Sequence, residues 1–350
     1  MFDWINKLFS SDIGIDLGTS NTLIYVKGQG IVLSEPSIVA VNQKTGRVVA
    51  VGSDAKLMVG RTPAHIEAIK PLSGSVISNF EVAEEMIAYF IRRAGEVSGK
   101  RLFRPRVVVS VPTGITNVER RAVRDAIKNA GARFAHIVEV PMAAALGIRL
   151  PVHDPVGSMI IDIGGGTTDI AVVSLGGIVK SKILPTAGDK LNQDIMSYVR
   201  DEFKILLGEK TAEDVKIQIG SVYKNSDPRE ATIRGRDLVT GLPREVVITD
   251  ADIREAITHS IATLIDAIKE VLELTPPEVV ADVMRRGIIL TGGGSLIQGL
   301  PELLAKELQM PIHIDDEPKT AVIRGAGVIL EDIERYREIL IDNEDELPPR

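Results

Sequence analysis

The chain has 350 residues, 44% of them hydrophobic, 25% charged and only 4% aromatic, with no cysteine and a net charge of −7. That length suits two domains of ordinary size, and the composition gives each an aliphatic core. The acidic balance excludes a general nucleic-acid binder, the missing cysteines exclude disulfides and thiolate metal sites, and the five histidines show no metal-ligand spacing.

The opening stretch M-F-D-W-I-N-K-L-F is too short for a signal peptide and is broken by Asp3, Asn6 and Lys7. It can form an amphipathic helix with Phe2, Ile5, Leu8 and Phe9 on one side and Trp4 near the boundary, which suits an interfacial anchor. Strand patterns follow at Ile13 to Leu17, Thr22 to Val26, Ile31 to Leu33, Ser37 to Val41 and Val48 to Val51. Val82, Met86 and Phe90 recur at helical spacing and predict an amphipathic helix over 80–96. Lys100-Arg101-Leu102-Phe103-Arg104 frames two apolar residues with three cations, a second candidate for an anionic membrane surface. Val107 to Val111 reads as a buried strand. A helix then starts at the T-x-x-E capping box of Thr116 and Glu119, with Val123, Ile127 and Ala130 inward.

The second half repeats the scheme. Met159 to Ile163, Ile170 to Val173 and Ile178 to Leu184 read as strands. A long helix carries Ile253, Ile257, Leu264, Ile268 and Leu272 on one side. Gly287 to Thr291 is another strand, followed by Gly292-Gly293-Gly294 and a helix around Pro301 to Leu308. The last twenty residues carry eight Asp/Glu against three Lys/Arg and read as a solvated acidic end. No apolar run approaches the roughly 18 residues needed to span a bilayer.

The repeat is of half-molecule length. D16-L-G-T-S-N-T22 and D162-I-G-G-G-T-T-D169 begin 146 residues apart, and each joins two strands as a hairpin loop. Both end a strand with an aspartate and then supply Gly and Thr. Glycines let backbone N–H groups close on phosphate oxygens. Gly18, Ser20 and Thr22 in the first loop and Gly164, Gly165 and Gly166 in the second fit that use. Thr19, Asn21, Thr167 and Thr168 add hydroxyl or amide donors. Two such loops facing each other would clamp a polyphosphate, with Asp16 and Asp162 placed to hold Mg²⁺ mainly through water. A third cluster, T291-G-G-G-S295, follows a strand and precedes a helix. There Gly292, Gly293, Gly294, Ser295 and Leu296 let the backbone approach a base or ribose. No G-x-x-x-x-G-K-[ST] is present, and two of the three turns lead to strands rather than helices, which excludes a P-loop NTPase and a Rossmann domain.

These three segments resemble the two phosphate motifs and the adenosine motif of the actin, DnaK-type chaperone and sugar-kinase superfamily. Within it the chain resembles the MreB family through N-T-L-I-Y, I-V-L-S-E-P-S, F-E-V-A-E-E-M-I, P-M-A-A-A-L-G, L-P-R-E-V and G-I-I-L-T-G-G-G, from about Ser11 to about Leu330. The resemblance implies an α/β, two-lobed actin-like ATPase fold, with duplicated ribonuclease H-like core subdomains and ATP in the cleft between them. The implied division gives a first-lobe core of 1–34, 70–145 and 327–350 with a small subdomain of 35–69. The second lobe has a core of 146–181 and 244–326 with a small subdomain of 182–243. The implied function is a cytoskeletal filament, a homopolymer peripheral on the inner face of the cytoplasmic membrane. It would organise cell-wall synthesis with membrane proteins of the elongation machinery and so keep a rod shape. A soluble, monomeric ATPase or phosphotransferase of the same superfamily is the alternative.

The resemblance also assigns residues. The E-R-x-K adenosine contact falls on Glu213-Asp214-Val215-Lys216, with Asp214 where the motif has Arg. Similar proteins place a Glu before P-M-A-A-A to polarise the attacking water. That position is Val140 here, with Glu139 adjacent but pointing to the opposite side of an extended segment. Thr167 would still position the water. A slow, Mg²⁺-dependent ATPase is therefore expected. Similar proteins bind membranes through such an N-terminal helix or such a Leu102-Phe103 loop.

Overall fold

A computed structural model of the chain describes residues 12–99, 104–224 and 227–341. The expected membrane residues Phe2, Trp4, Ile5, Leu8, Phe9, Leu102 and Phe103 lie outside the described residues, as does the acidic end beyond 341. In the first lobe, β1 (Ile13–Leu17), β2 (Asn21–Val26) and β3 (Gly30–Pro36) lead to a small unit. That unit holds β4 (Val39–Asn42), β5 (Arg47–Val51), α1 (Ser53–Met58) and β6 (Ile66–Ile69). A short hairpin of β7 (Leu72–Ser73) and β8 (Val76–Ile77) precedes α2 (Phe80–Ser98), β9 (Arg106–Val111), α3 (Asn117–Asn129), β10 (Phe134–Glu139) and α4 (Val140–Gly147).

The second lobe opens with β11 (Ser158–Ile163), β12 (Thr168–Ser174), β13 (Gly177–Leu184) and α5 (Gly188–Phe203). It continues through β14 (Ile205–Leu206), α6 (Glu209–Ile219), β15 (Glu230–Asp237), β16 (Pro243–Thr249) and α7 (Asp250–Glu273). It closes with α8 (Pro277–Arg286), β17 (Ile288–Thr291), α9 (Leu300–Leu308) and β18 (Ile312–Ile314), after which α10 (Ala321–Glu331) packs on β1, β2 and β9 of the first lobe.

The two large sheets are copies of one plan. The first runs β3-β2-β1-β9-β10 and the second β13-β12-β11-β17-β18. In both, the first two pairings are antiparallel and the last two parallel. A hairpin joins the central strand to its antiparallel neighbour, so each loop of the repeat sits at the same place in its sheet. Each lobe also carries a three-stranded sheet, β5-β4-β6 in the first and β14-β15-β16 in the second. A boundary at 243 would cut β16 from β15, with which it pairs in antiparallel register from Thr249 to Pro243.

Each lobe has its own apolar cluster, and a third joins them. The joint is built on α4 and α10, and α4 shows no helical periodicity because it is buried all round. Every residue of α4 is buried, and so are Ala321, Val322, Ile323, Gly325, Ala326, Gly327, Ile329 and Leu330 of α10. The two helices cross at glycines. A Cβ on Gly147 would run into the Ala321 carbonyl and one on Gly325 into the Ala143 carbonyl. Close backbone approach fixes how the two helices pack at the joint.

Candidate nucleotide cleft

The aspartates of the two loops are the penultimate or near-terminal residues of β1 and β11, so the sheet fixes their direction. Each is held by a hydroxyl from the next parallel strand. Ser110 Oγ donates to Asp16 Oδ1 at 2.7 Å and Thr291 Oγ1 to Asp162 Oδ1 at 2.8 Å. The register pairs Asp16 with Ser110 and Asp162 with Thr291, so even the supporting hydroxyl is duplicated. Burial pushes the Asp16 carboxyl up to about 6 and Asp162 up to about 7, and for Asp162 the nearby Asp169 and Asp16 charges add to it. Both would ionise fully beside a cation.

The loops face each other across a cleft of about 760 Å³. Gly165 lies against Ser20 and Gly166 against Thr19 so closely that a Cβ at either position would overlap those side chains. Asp16, Gly18, Thr19, Ser20 and Asn21 line the cleft from the first lobe. Asp162, Gly164, Gly165 and Thr167 line it from the second, and Gly292, Gly293, Gly294 and Leu296 from the third cluster. Four of the expected loop residues turn elsewhere. Thr22 is buried and bonds Ser37 Oγ at 2.9 Å, Gly166 sits behind Thr19, Thr168 donates to the Thr186 carbonyl at 2.7 Å, and Ser295 donates to the Gly292 carbonyl at 2.7 Å to close its own turn.

On α6, residues three apart share a face. Glu213 and Lys216 both line the cleft, and Lys216 Nζ donates to the Gly188 carbonyl at 2.8 Å. Asp214 and Val215 fall off that face. Asp214 pairs with Lys210 in solvent, and Val215 is buried in the core of the second lobe. Neither lines the cleft, so the departure from Arg at position 214 removes nothing from its wall. A different arginine, Arg229, does line it, bonding the Gln218 carbonyl and Gln298.

Val140 lines the cleft and Glu139 does not. Glu139 ends β10 and its carboxylate accepts from the Gly114 backbone, near Arg120. Burial raises its pKa above the usual range. Other polar groups of the cleft carried no sequence assignment. Asp169 is buried in β12, its Oδ1 accepting from Thr113 N at 3.0 Å and Thr113 Oγ1 at 3.2 Å across the lobes. Ser75, at the β7–β8 turn, reaches both Thr19 and Thr167. At the mouth, Lys70 pairs with Glu209 at 2.5 Å and Lys56 with Glu213 at 3.7 Å, tying the two small units together. Asp169 stood inside the repeated motif and was findable there. Ser75 and the two lysines lie in segments with no motif.

Two carboxylates beside hydroxyl and backbone donors match what Mg²⁺ takes when phosphate supplies the rest of its shell. Among the described residues no cluster of three or more His, Asp or Glu holds a metal unaided. The MreB/Mbl protein family profile matches residues 10–338. The cell shape-determining protein Mbl of Bacillus subtilis is 46% identical over 344 residues, which cover 98% of this chain and 99% of that one. The cell shape-determining protein MreB of Escherichia coli K12 is 46% identical over 341 residues, covering 96% and 98%. Crystal structures of MreB5 of Spiroplasma citri, one bound to ADP and one to AMPPNP, superpose with TM-scores of 0.89 and 0.88. They are 39% and 38% identical in sequence and cover 94% of this chain and 98% of theirs. With a duplicated actin-like fold, apposed loops and relatives matched end to end, the chain belongs to the MreB/Mbl family.

Proposed function

We propose that this protein binds ATP with Mg²⁺ in the cleft and polymerises on the inner face of the cytoplasmic membrane. There its filaments organise cell-wall synthesis with membrane proteins of the elongation machinery and maintain rod shape. The observation that carries the reading is the pair of duplicated loops, each presenting a hydroxyl-braced aspartate to one cleft. Asp16 and Asp162 hold the cation, mainly through water, the loop backbones take the phosphates, and Glu213 and Lys216 face the ribose. That MreB5 was solved with ADP and with AMPPNP supports the nucleotide assignment. Hydrolysis is slow, because valine at 140 accepts no hydrogen bond from water and Glu139 turns away. Membrane contact belongs to the N-terminal segment and to Leu102 and Phe103, each weak alone and strengthened by repetition along a filament.

The test is electron microscopy and sedimentation of the purified protein with and without Mg-ATP, on anionic liposomes. Filaments on lipid that require Mg-ATP are expected. A protein that binds ATP yet stays monomeric supports instead a soluble ATPase or phosphotransferase. Deleting residues 1–9 together with Leu102→Ser and Phe103→Ser should release filaments from liposomes without dissolving them.

A further inference from the structure

The β7–β8 hairpin turns on Gly74 and Ser75, with φ of 55° and 59°. A two-residue hairpin turn with both residues at positive φ favours glycine at its second central position. Serine there sits in the left-handed region at a cost that glycine avoids. A residue held in a strained conformation points to a use for its side chain. The Ser75 hydroxyl stands between the two phosphate loops, 3.2 Å from Thr19 Oγ1 and 3.0 Å from Thr167 Oγ1, and Ser75 N donates to Thr19 Oγ1 at 2.9 Å.

The hydrogen bonds have one direction. Thr167 Oγ1 donates to Asp169 Oδ2 at 3.4 Å, so its own oxygen is left to accept from Ser75. The single Ser75 hydroxyl proton then goes to Thr167, so Thr19, whose oxygen accepts from Ser75 N, gives its own proton to Ser75 Oγ. Three hydroxyls thus form a row from the first loop to the second, and both Thr19 and Thr167 are buried beside the aspartates. A terminal phosphate entering between the loops brings three more acceptor oxygens, and these hydroxyls meet them by turning their protons from one another to the phosphate. On the nucleotide-binding reading a diphosphate lacks that terminal group and leaves the row to bond within itself.

We propose that Ser75 is a positioning residue through which the cleft distinguishes a nucleoside triphosphate from a diphosphate, its hydroxyl bridging Thr19 and Thr167 at the terminal phosphate. The inference rests on the nucleotide-binding reading above.

The test is calorimetric titration of the whole chain with Mg-AMPPNP and with Mg-ADP, in the parent, Ser75→Gly and Ser75→Ala. Both variants lose the hydroxyl, but glycine relieves the backbone and alanine does not. Both should lose about tenfold in AMPPNP affinity, the worth of one hydrogen bond to a charged group, with ADP affinity unchanged. Melting should separate them, with Ser75→Gly at or about 1–2 °C above the parent. An unchanged AMPPNP-to-ADP ratio in both variants overturns the role of Ser75 while leaving nucleotide binding intact. So does binding that follows the melting temperature, weak in alanine and normal in glycine. A parent that binds neither nucleotide overturns the cleft assignment itself, and this inference with it.

Discussion

The two phosphate loops are copies that differ at one informative place. Both hold an aspartate against a hydroxyl from the neighbouring parallel strand. Across the hairpin, Asp162 pairs in register with Asp169, whereas Asp16 pairs with Leu23. The second loop therefore carries an extra buried carboxylate, and it is satisfied by Thr113 of the first lobe. The first loop has no equivalent and is instead met by Ser75 from the hairpin. Duplication kept the hydroxyl-braced aspartate on both sides of the cleft. What differs is the wiring between lobes, which only a pair of unlike loops can make directional.

Removing the shared part should have the largest effect. Asp162→Ala takes away one of two carboxylates available to Mg²⁺ and should lower Mg-nucleotide affinity on the order of a thousandfold, about 4 kcal/mol. The fold should persist, since the change leaves one hydroxyl, Thr291 Oγ1, without its partner beside the cleft that Asp162 lines. Asp16→Ala should match it if the loops are equivalent in use. Titration of Mg-ATP into both variants measures this, and unchanged affinity in Asp162→Ala defeats the clamp.

The next effect concerns what neither loop supplies. Val140 occupies the cleft wall where a carboxylate would polarise water, so Val140→Glu should raise turnover by about 10²-fold at unchanged ATP affinity. Phosphate release from polymerised protein is the measurement. Equal rates, or a faster parent, mean that a group already in the wall, with Asp169 the nearest carboxylate to Thr167, does the work.

The contrast between loops also shows what was legible in the sequence. The repeated D-x-G motif could be read because each loop needs its glycines and aspartate adjacent along the chain. The strands flanking it were legible for the same reason, each being a short apolar run with its ends marked. Ser75 and Lys70 were not, because they reach the cleft from separate segments, and only the folded hairpin places S-G-S over the loops. The helix α4 escaped periodicity because it is buried on every side. Asp214 and Val215 were expected at the nucleotide because a four-residue motif was read as a line, whereas a helix presents only its first and last members to one side.

Acidity offers a smaller handle on the same asymmetry. Asp16 and Asp169 are pushed up to about 6 and Asp162 up to about 7, each chiefly by burial. The folded protein then holds protons that the unfolded chain has released. Stability of the nucleotide-free protein is fully present near pH 4 and falls as pH rises towards about 7, by at most about 3–4 kcal/mol per carboxylate. Mg-nucleotide should flatten the slope, because the cation favours the charged forms. Asp162 is pushed up furthest, so Asp162→Asn should flatten the slope more than Asp16→Asn. Urea unfolding at pH 5 and pH 8 gives the slopes, and a stability that rises with pH in the nucleotide-free parent refutes the burial argument.

The smallest effect compares the lobes away from the cleft. Each starts a helix with a reciprocal capping box, Thr116 with Glu119 at α3 and Thr249 with Asp252 at α7. Thr116 N donates to Glu119 Oε2 at 2.8 Å and Thr249 N to Asp252 Oδ2 at 2.7 Å. Only the first matches the T-x-x-E pattern, and only it was legible in the sequence. The surroundings differ more than the geometry. Thr116 is exposed, so water can serve the freed N–H groups once its hydroxyl is gone. Thr249 is partly buried, and its partner Asp252 also accepts from Tyr198 OH at 3.3 Å. Thr116→Ala should therefore cost about 0.5 kcal/mol and Thr249→Ala about 1–2 kcal/mol. The longer α7 has ten buried residues against three in α3, so it is the helix whose entry the core depends on. Urea midpoints of the two variants decide the matter, and a larger loss at Thr116 would mean that solvent does not replace the cap as this contrast requires.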